Sequence, residues 1–452
     1  MGYLFKKNDP KVIRAWTFYD WANSVYNLII STAIFPIFYQ TVTANYAREN
    51  GLVETIDGRS VEMVEFFGRF FVNSELYSYV YSASFLVVVL LVPILSGIAD
   101  YSGTKKLFMK IFCYMGATGC ASLFFFDVAN LELSMLSIFT ASIGFWGSIV
   151  FYNSFLLEIA DSEQHDKISA KGFSLGYIGS VLLLLTILLL NGIADMPVKY
   201  GFLMVAVWWV GFAQYTYYYL PSKSYYTKRE KQHNIMWYGY REIRKVWNEL
   251  KEHPRVKWFL SSYFVYNMGV QTIMLLAVLF ASKEIAWVDG GEWWQTKQTG
   301  LIVSIILIQL VAVGGATVMS KWSNKFGNLR TLMGAAVIWI TCTIIAFFIH
   351  EPLEFYILAL LVGFVMGGTQ SLSRSTYSKM LPPTEDHASY FSFFDVMEKV
   401  GLIFGPLMFG MLEGMFGDMR KSVLMLMAFF IIGLILLVKT RKVERASAIQ
   451  SA

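Results

Sequence analysis

The chain has 452 residues and a net charge of +5; 56% of its residues are hydrophobic and only 15% are charged. The apolar residues form blocks of about 20 separated by short charged loops, a pattern that predicts membrane-spanning helices and argues against a string of soluble domains. No aromatic-rich basic groove is evident, so we do not expect a nucleic-acid partner. The sequence therefore predicts an all-α integral membrane protein with the lipid bilayer as its surroundings.

The apolar blocks predict twelve spans. In chain order they cover 15–44, 75–99, 106–126, 132–158, 171–193, 198–220, 257–282, 297–319, 329–350, 352–378, 388–413 and 420–438. Several contain Gly, Ser or Gln, so these spans must pack on one another rather than face lipid all round. The three cysteines all fall inside predicted spans, where we expect small apolar core residues and neither a disulfide nor a metal site: Cys113, Cys120 and Cys342.

The basic residues predict the orientation of the chain. With the N-terminus in the cytoplasm and twelve alternating spans, inner segments hold 28 of the 37 Lys and Arg residues. Both termini are therefore expected to be cytoplasmic. Four basic residues lead into a first block that is too long for the apolar region of a cleaved signal peptide, so we expect that block to be an uncleaved span.

The longest inner loop divides the spans six plus six. We predict an N-terminal bundle over 1–220, a cytoplasmic linker over 221–256, a C-terminal bundle over 257–440 and a cytoplasmic tail over 441–452. In the linker, apolar residues from Met236 to Leu250 recur at helical spacing opposite basic ones. This pattern predicts an amphipathic helix on the inner membrane surface, and a plain tether between bundles is equally compatible.

Short motifs indicate that the two halves are related. GIADYSGTKK (97–106) follows predicted span 2, and SNKFGNLR (323–330) follows span 8. Asp100 and Gly103 match Asn324 and Gly327 at one common offset of about half the chain. Repeated bundles with a site between them are the architecture of many secondary transporters.

These motifs resemble a known family. GIADYSGTKK resembles the signature loop of the major facilitator superfamily, and YDWANS, YNSFLLEIA, SLGYIGS, YNMGVQTI and GGTQSLSRS are similar to motifs of its unidentified-major-facilitator family. That family includes the fungal autophagy-related vacuolar amino-acid effluxers. The resemblance implies two pseudo-symmetric six-helix bundles, a monomer and, for such a chain, the bacterial inner membrane. One departure is Met268, where the resemblance leads us to expect an Asp.

A polar stripe runs up predicted span 1. At helical spacing Asp20, Asn23, Ser24, Asn27 and Ser31 fall on one face, which should meet a water-filled cavity or a partner helix because facing lipid is costly. For Asp20 alone, contact with the cytoplasm near the helix end is an equal alternative. Asp20 is also a candidate proton site.

Other spans carry polar residues at cavity-facing spacing, and an ordinary helix–helix hydrogen bond is the alternative for each. These further candidates for the substrate cavity are Tyr263, Asn267 and Gln271 in span 7, with Asn153, Gln309 and Gln370 in spans 4, 8 and 10.

Span 11 carries Asp395, Glu398 and Lys399 deep inside an apolar block. A charge near the bilayer centre costs about 3 kcal/mol even on the lenient insertion scale, so we predict that these residues serve the site. Lys399 would suit an anionic or carboxylate-bearing substrate. The alternative is local compensation, because Asp395 and Lys399 stand in the favourable i, i+4 order.

The signature loop implies a gate rather than a binding site. By the resemblance, Gly97, Asp100, Gly103 and Lys105 belong to a loop whose Asp bonds at the cytoplasmic helix ends in one conformation and is released in the other. Three more charged residues stand at inner ends of predicted spans, and snorkelling is the favoured interpretation for the last: Glu158, Arg374 and Lys379.

Three classes of function remain to compare. The leading hypothesis is a secondary transporter that moves a small solute, amino acids or related compounds, by alternating access; proton coupling and direction stay open. The second is a membrane sensor that keeps the fold and binds a ligand. An enzyme is least favoured, because the chain has no HExxH, no spaced Ser–Lys or Asp pair and no nucleotide loop, and we expect no cofactor and no metal.

Overall fold

The structure, a computed structural model, describes residues 6–56, 59–222, 244–249, 252–288, 292, 294–382, 386–416 and 419–450. Its twelve long helices coincide with the twelve predicted spans. They are α1 Pro10–Glu49, α2 Asn73–Ser102, α3 Lys105–Ser122, α4 Leu131–Ser154, α5 His165–Ala194, α6 Lys199–Tyr219, α7 Pro254–Glu284, α8 Lys297–Phe326, α9 Asn328–Phe348, α10 Pro352–Met380, α11 His387–Phe416 and α12 Met419–Gln450.

Length and composition make ten of these helices able to cross a membrane. The other two are α6 and α11, which occupy the predicted sixth and eleventh spans. α6 is rich in Tyr and Trp, and α11 carries the charged residues Asp395, Glu398 and Lys399. Their placement within the bundles is consistent with an all-α membrane protein of twelve spans.

The two halves pack by one shared plan. In the N-terminal half α1 packs on α5 and α6, α3 packs on α4 and α6, and α2 packs on α4; in the C-terminal half the helices six numbers higher make the same five contacts. Contacts between halves obey the same rule, since α5 meets α8 and α10 while α11 meets α2 and α4. Each half has its own hydrophobic core. The predicted internal repeat is confirmed by this packing.

α1 changes its helical winding midway. It is α-helical over Pro10–Val25, π-helical over Tyr26–Ala33 and α-helical again over Phe35–Glu49. The backbone N–H of Ile34 donates to the carbonyl of Ile29 at 3.0 Å, a π-type bond that spans five residues. π-Helical segments are rare and are often found at functional sites. The wider turn changes which residues share a face beyond Asn27.

The loop after α1 forms a small sheet that the sequence did not predict. Strands β1 Val53–Ile56, β2 Arg59–Phe66 and β3 Arg69–Val72 pair antiparallel in the order β1-β2-β3. The backbone N–H of Phe67 donates to the Glu132 carboxylate at 2.9 Å, which fixes the sheet to the start of α4. The sheet therefore covers the end of the N-terminal bundle opposite the signature loop.

Parts of the predicted linker and tail lie within the described residues. Residues 244–249 of the predicted amphipathic helix are helical, and linker residues 223–243 and 250–251 lie outside the described residues. Val246 is fully buried in the C-terminal core, and Trp247 stacks on Phe393 of α11 with ring centres 5.9 Å apart. The predicted tail is part of α12 as far as Gln450.

Candidate functional site

A cavity of about 120 Å³ lies between the two bundles. Helices of both halves line it, and its walls combine aromatic and uncharged polar side chains with a few charged ones. Eleven of the residues predicted for a substrate cavity line it: Asp20, Asn23, Ser24, Asn27, Asn153, Tyr263, Asn267, Gln271, Gln309, Gln370 and Glu398. Asp395, Lys399 and Ser31 are not among the lining residues.

An ion pair between the halves lies at one end of the cavity. The guanidinium of Arg374 on α10 approaches the Asp20 carboxylate on α1, with Nη2 and Oδ2 3.3 Å apart. The Tyr152 hydroxyl donates to the same carboxylate at 2.8 Å. Arg374 also donates from Nη1 to the Asn153 side chain at 3.2 Å and from Nε to the Ser169 hydroxyl at 2.9 Å. Asp20 thus bonds across the bundle interface rather than to solvent.

Aromatic rings surround the Arg374 guanidinium. Its carbon lies 4.3 Å from the ring centre of Phe173, 4.8 Å from Trp16 and 5.6 Å from Tyr152. Such cation–π contacts are stronger where water is excluded, and Arg374 is only 3% exposed. Sequence reasoning placed Arg374 among helix-end charges and missed it as a cavity residue. The available signal was its position in GGTQSLSRS, four residues after the cavity candidate Gln370.

Two glycines bring α5 against the polar stripe of α1. A Cβ atom added at Gly172 would collide with the Asp20 carboxylate, and one at Gly176 would collide with the Ser24 hydroxyl. Only glycine permits this close approach without moving the ion pair. These two glycines, four residues apart on α5, therefore shape the site.

Two buried amide nitrogens of the cavity have no hydrogen-bond partner among the described residues. The side-chain nitrogens of Asn23 on α1 and Asn267 on α7 are inaccessible and make no hydrogen bond within the described part of the chain. A buried donor without a partner costs about 1–3 kcal/mol, so such groups usually serve a ligand or a water molecule. Both halves thus offer free donors to whatever occupies the cavity.

The charged cluster of α11 is divided between cavity and protein interior. Lys399 is fully buried, pairs with Asp395 at 2.8 Å and with Glu398 at 3.3 Å, and lies 3.6 Å from the ring centre of Trp146. Glu398 lines the cavity and accepts from Gln271 at 2.9 Å. In this conformation Lys399 does not line the cavity, since its ammonium faces partners on its own helix and the ring of Trp146 on α4, and its contact with a substrate stays a prediction.

Met268, the departure from the family pattern, packs away from the cavity. It is buried in the C-terminal core and lies against Gly401 and Gly405 of α11. Its side chain lies over Gly401, and its backbone carbonyl lies over Gly405. The carboxylate expected at this position is thus replaced by a helix contact.

Both ends of the described chain lie on one face of the bundles, which we call the terminal face. The backbone N–H of Asn8 donates to Ile159 at 2.8 Å, and Glu444 pairs with Arg255 at 2.5 Å. The signature loop lies on this face as well, because it contacts the start of α11.

Asp100 caps the start of α11 across the bundle interface. Its carboxylate accepts from the backbone N–H groups of Ala388 at 3.1 Å and Ser389 at 2.7 Å. Lys105 pairs with Asp100 at 3.0 Å and with Glu158 at 2.5 Å. A carboxylate at a helix N-terminus satisfies free N–H groups and the helix dipole together.

The predicted gate glycines frame this contact. Gly97 is buried inside α2, and Gly103 ends that helix with a positive φ of 64°. Gly327 also ends α8 with a positive φ, of 89°, but its ψ of 149° differs from the 26° of Gly103. The two loops therefore share a glycine at the end of the helix and differ in its backbone conformation.

A second bridge, related to the first by the internal repeat, joins α5 to the C-terminal half. Asp166 at the start of α5 accepts from Ser323 at 2.6 Å and Asn328 at 2.7 Å, and pairs with Lys379 at 2.6 Å. The expectation that Lys379 snorkels to the membrane surface is therefore wrong. Its ammonium is held by a carboxylate that is itself fully buried. The polar bonds described between the bundles thus close the terminal face.

The fold is that of the major facilitator superfamily. It is similar to the transporter FucP in the outward conformation, with a TM-score of 0.67 and 13% identity over 95% of this chain and 98% of that one. It is also similar to a bacterial homologue of the iron transporter ferroportin in the outward-facing state, with a TM-score of 0.62 and 10% identity over 95% and 98% of the two chains.

The chain belongs to the family described as "Vacuole effluxer Atg22 like", whose model matches residues 8–450. It is 29% identical to the uncharacterized MFS-type transporter YxiO of Bacillus subtilis (strain 168) over 95% of both chains. It is 24% identical to Autophagy-related protein 22 of Pichia angusta, covering 86% of this chain and 78% of that one. The recognised family resemblance is confirmed, and the protein is a multi-pass membrane transporter.

Proposed function

We propose that this protein is a secondary active transporter that moves small polar organic solutes, amino acids among them, by alternating access. The observation that carries this proposal is the cavity between the bundles, lined from both halves, with its terminal side closed by the Asp100 and Asp166 bridges. Transport requires these bridges to open when the other side closes. A sensor would not need two such bridges, one from each repeat.

The chemistry of the cavity supports a solute with both polar and apolar parts. The free amide donors of Asn23 and Asn267 suit carboxylate or carbonyl oxygens. Glu398 suits a cationic group, and the rings of Tyr263 and Phe145 suit an apolar side chain. An amino acid offers all three features. The named effluxers among the relatives favour export, which we propose as the direction.

Asp20 is our proposed site for a coupling proton. Its partner Arg374 stands on the opposite bundle, so protonation of Asp20 would remove an attraction that holds the halves together. Proton binding would thereby favour separation of the two halves around the cavity. Because this ion pair joins the two halves, a proton that binds Asp20 would act directly on the contact between them.

We further propose that the terminal face is cytoplasmic and that the host membrane is a bacterial inner membrane, as the distribution of Lys and Arg favours. Single-cysteine labelling with an impermeant reagent tests this orientation. Cysteines at Thr55 and Gly290 should react in intact cells, and one at Glu230 should react only after permeabilisation. The reverse pattern would overturn the orientation.

The test of function is uptake and efflux by the purified chain in proteoliposomes, across a panel of amino acids and related solutes, with and without a pH gradient. Saturable flux that responds to the pH gradient supports the proposal. Solute binding without flux in either direction would favour a sensor.

A further inference from the structure

A second cavity of about 400 Å³ opens on the terminal face within the C-terminal half. The start of α7, the α8–α9 turn, the end of α10 and the end of α12 form its walls. Its charged lining residues are five basic ones and one acidic one: Arg255, Arg330, Lys379, Arg441, Arg445 and Glu444. We call it the basic cavity.

The positive charges of the basic cavity are incompletely neutralised. Glu444 pairs with Arg255, and Lys379 pairs with Asp166. For the other three arginines, no carboxylate lies within ion-pair distance in the described residues. Arg441 is close enough to Arg330 and Arg445 for their charges to repel, and Glu444 offsets this repulsion only in part. A bound anion would relieve this repulsion.

Two further features place hydrogen-bond donors in the wall of the basic cavity. The Nε of Arg255 is buried and has no acceptor in the described part of the chain. α9, a helix of 21 residues, begins at Asn328 in the cavity wall, where the first N–H groups and the helix dipole favour an anion.

The ordinary explanation for basic residues on this face is membrane topology, with each side chain extended toward solvent or headgroups. That explanation accounts for the number of charges. It does not account for their convergence around one concave volume or for a buried donor without an acceptor. Guanidinium groups are suited to phosphate because their planar fork can bind two oxygens at once.

We propose that the basic cavity binds a phosphate-bearing anion, supplied either by the headgroup of an anionic lipid or by a free phosphate compound. Lys379 links this site to the bundle interface, because it lines the basic cavity and also pairs with Asp166 of the opposite half. An anion competes with Asp166 for the Lys379 ammonium, and its binding therefore loosens the closure of the terminal face. This coupling rests on the proposed alternating access, whereas the binding does not.

Binding is tested on the full chain in neutral detergent with three probes: dioctanoyl phosphatidylglycerol, dioctanoyl phosphatidylcholine and inorganic pyrophosphate. The variant Arg330→Gln/Arg441→Gln removes two charges from the basic cavity. Lys321→Gln/Lys442→Gln is the matched control, since it removes two exposed charges that do not line the cavity.

We expect the first variant to weaken anion binding at least ten-fold and the control to change it less than two-fold. Binding of pyrophosphate assigns the site to free phosphates, and binding of phosphatidylglycerol alone assigns it to lipid. Equal weakening by both variants, or equal binding of phosphatidylcholine, would overturn the proposal. Wild-type folding of each variant is checked by its melting temperature without probe.

Coupling is tested by the distance between spin labels at Lys167→Cys and Asn324→Cys, exposed positions on opposite halves, with the three native cysteines replaced by Ala. With the basic cavity intact, the anion should increase the population of longer distances between the two labels. In the labelled Arg330→Gln/Arg441→Gln variant, the anion should leave the distance distribution unchanged. If the anion binds and the distance distribution does not change, the proposed coupling is refuted, whereas the proposed binding site is not. Failure of solute transport would bear on the proposed function alone.

Discussion

Two buried ion pairs of this transporter use the same chemistry for different ends. Asp20 and Arg374 stand on opposite halves and line the cavity, so their pairing changes whenever the halves move. Asp395 and Lys399 stand one turn apart on α11 and keep their distance in any rigid movement of that half. The comparison teaches that burial of a charge in a span does not by itself show that the charge takes part in the movement of the halves. The position of its partner shows this, because only a pair between the halves is altered when they move.

The largest effect is expected from breaking the pair between the halves. Arg374→Gln leaves the Asp20 carboxylate buried without its cation, which costs about 3–5 kcal/mol. We expect solute transport per amount of folded protein to fall at least ten-fold, as measured by flux in proteoliposomes divided by detergent-extracted yield. Arg374→Lys keeps the positive charge but loses the planar guanidinium group with its several donors. Its flux should therefore lie between that of Arg374→Gln and that of wild type. Flux within two-fold of wild type in Arg374→Gln would remove the pair from the mechanism.

A smaller effect is expected at the terminal face. Asp100→Asn keeps the size of the side chain but removes the charge that caps α11 and pairs with Lys105. Loss of such a charge at a helix N-terminus costs about 1–2 kcal/mol, so the equilibrium between closed and open forms should shift about ten-fold. We expect the transport rate to fall while equilibrium solute binding stays within a few-fold. Lost binding with a normal exchange rate would contradict a gating role.

The local pair should tolerate joint removal. Lys399→Met alone leaves Asp395 buried and unpaired, and we expect loss of folded protein. Asp395→Asn/Lys399→Met removes both charges. Because neither residue lines the cavity, we expect solute flux within about three-fold of wild type. Removal of both members of a buried ion pair is often tolerated in proteins. Expression and flux are measured together for both variants. A double variant that folds but does not transport would place this pair in the mechanism beside Asp20 and Arg374.

The smallest effect is expected at Asp161, an exposed acid on the terminal face. Hydrogen bonds from Asn8 and Lys7 hold the pKa of this carboxyl below its ordinary value. A group with a lowered pKa stabilises the fold above the ordinary carboxyl pKa of about 4 and loses that contribution as the pH falls further. Asp161→Asn should therefore lower the melting temperature slightly at pH 7 and make no difference in strong acid. If Asp161→Asn slowed transport as much as Asp100→Asn, the effect of Asp100→Asn would be due to the loss of an acid on this face and not to a gating role of Asp100.

The sequence alone determined the spans, because a bilayer about 30 Å thick requires apolar blocks of a defined length. It also determined the polar stripe of α1, because helical spacing up to Asn27 places its residues on one face whatever surrounds them. The repeated loops at Asp100 and Asn324 likewise predicted the pseudo-symmetric packing. Local periodicity and length were sufficient for each of these features.

Only the tertiary structure decided which charges meet. Arg374 and Asp20 are 354 positions apart, and nothing in their spacing predicts a contact. Lys399 and Glu398 are neighbours in sequence, yet one turns to the interior and the other to the cavity, because adjacent residues on a helix point about 100° apart. The direction of a side chain relative to a cavity depends on how twelve helices pack. That arrangement is fixed by contacts between halves that no local pattern contains.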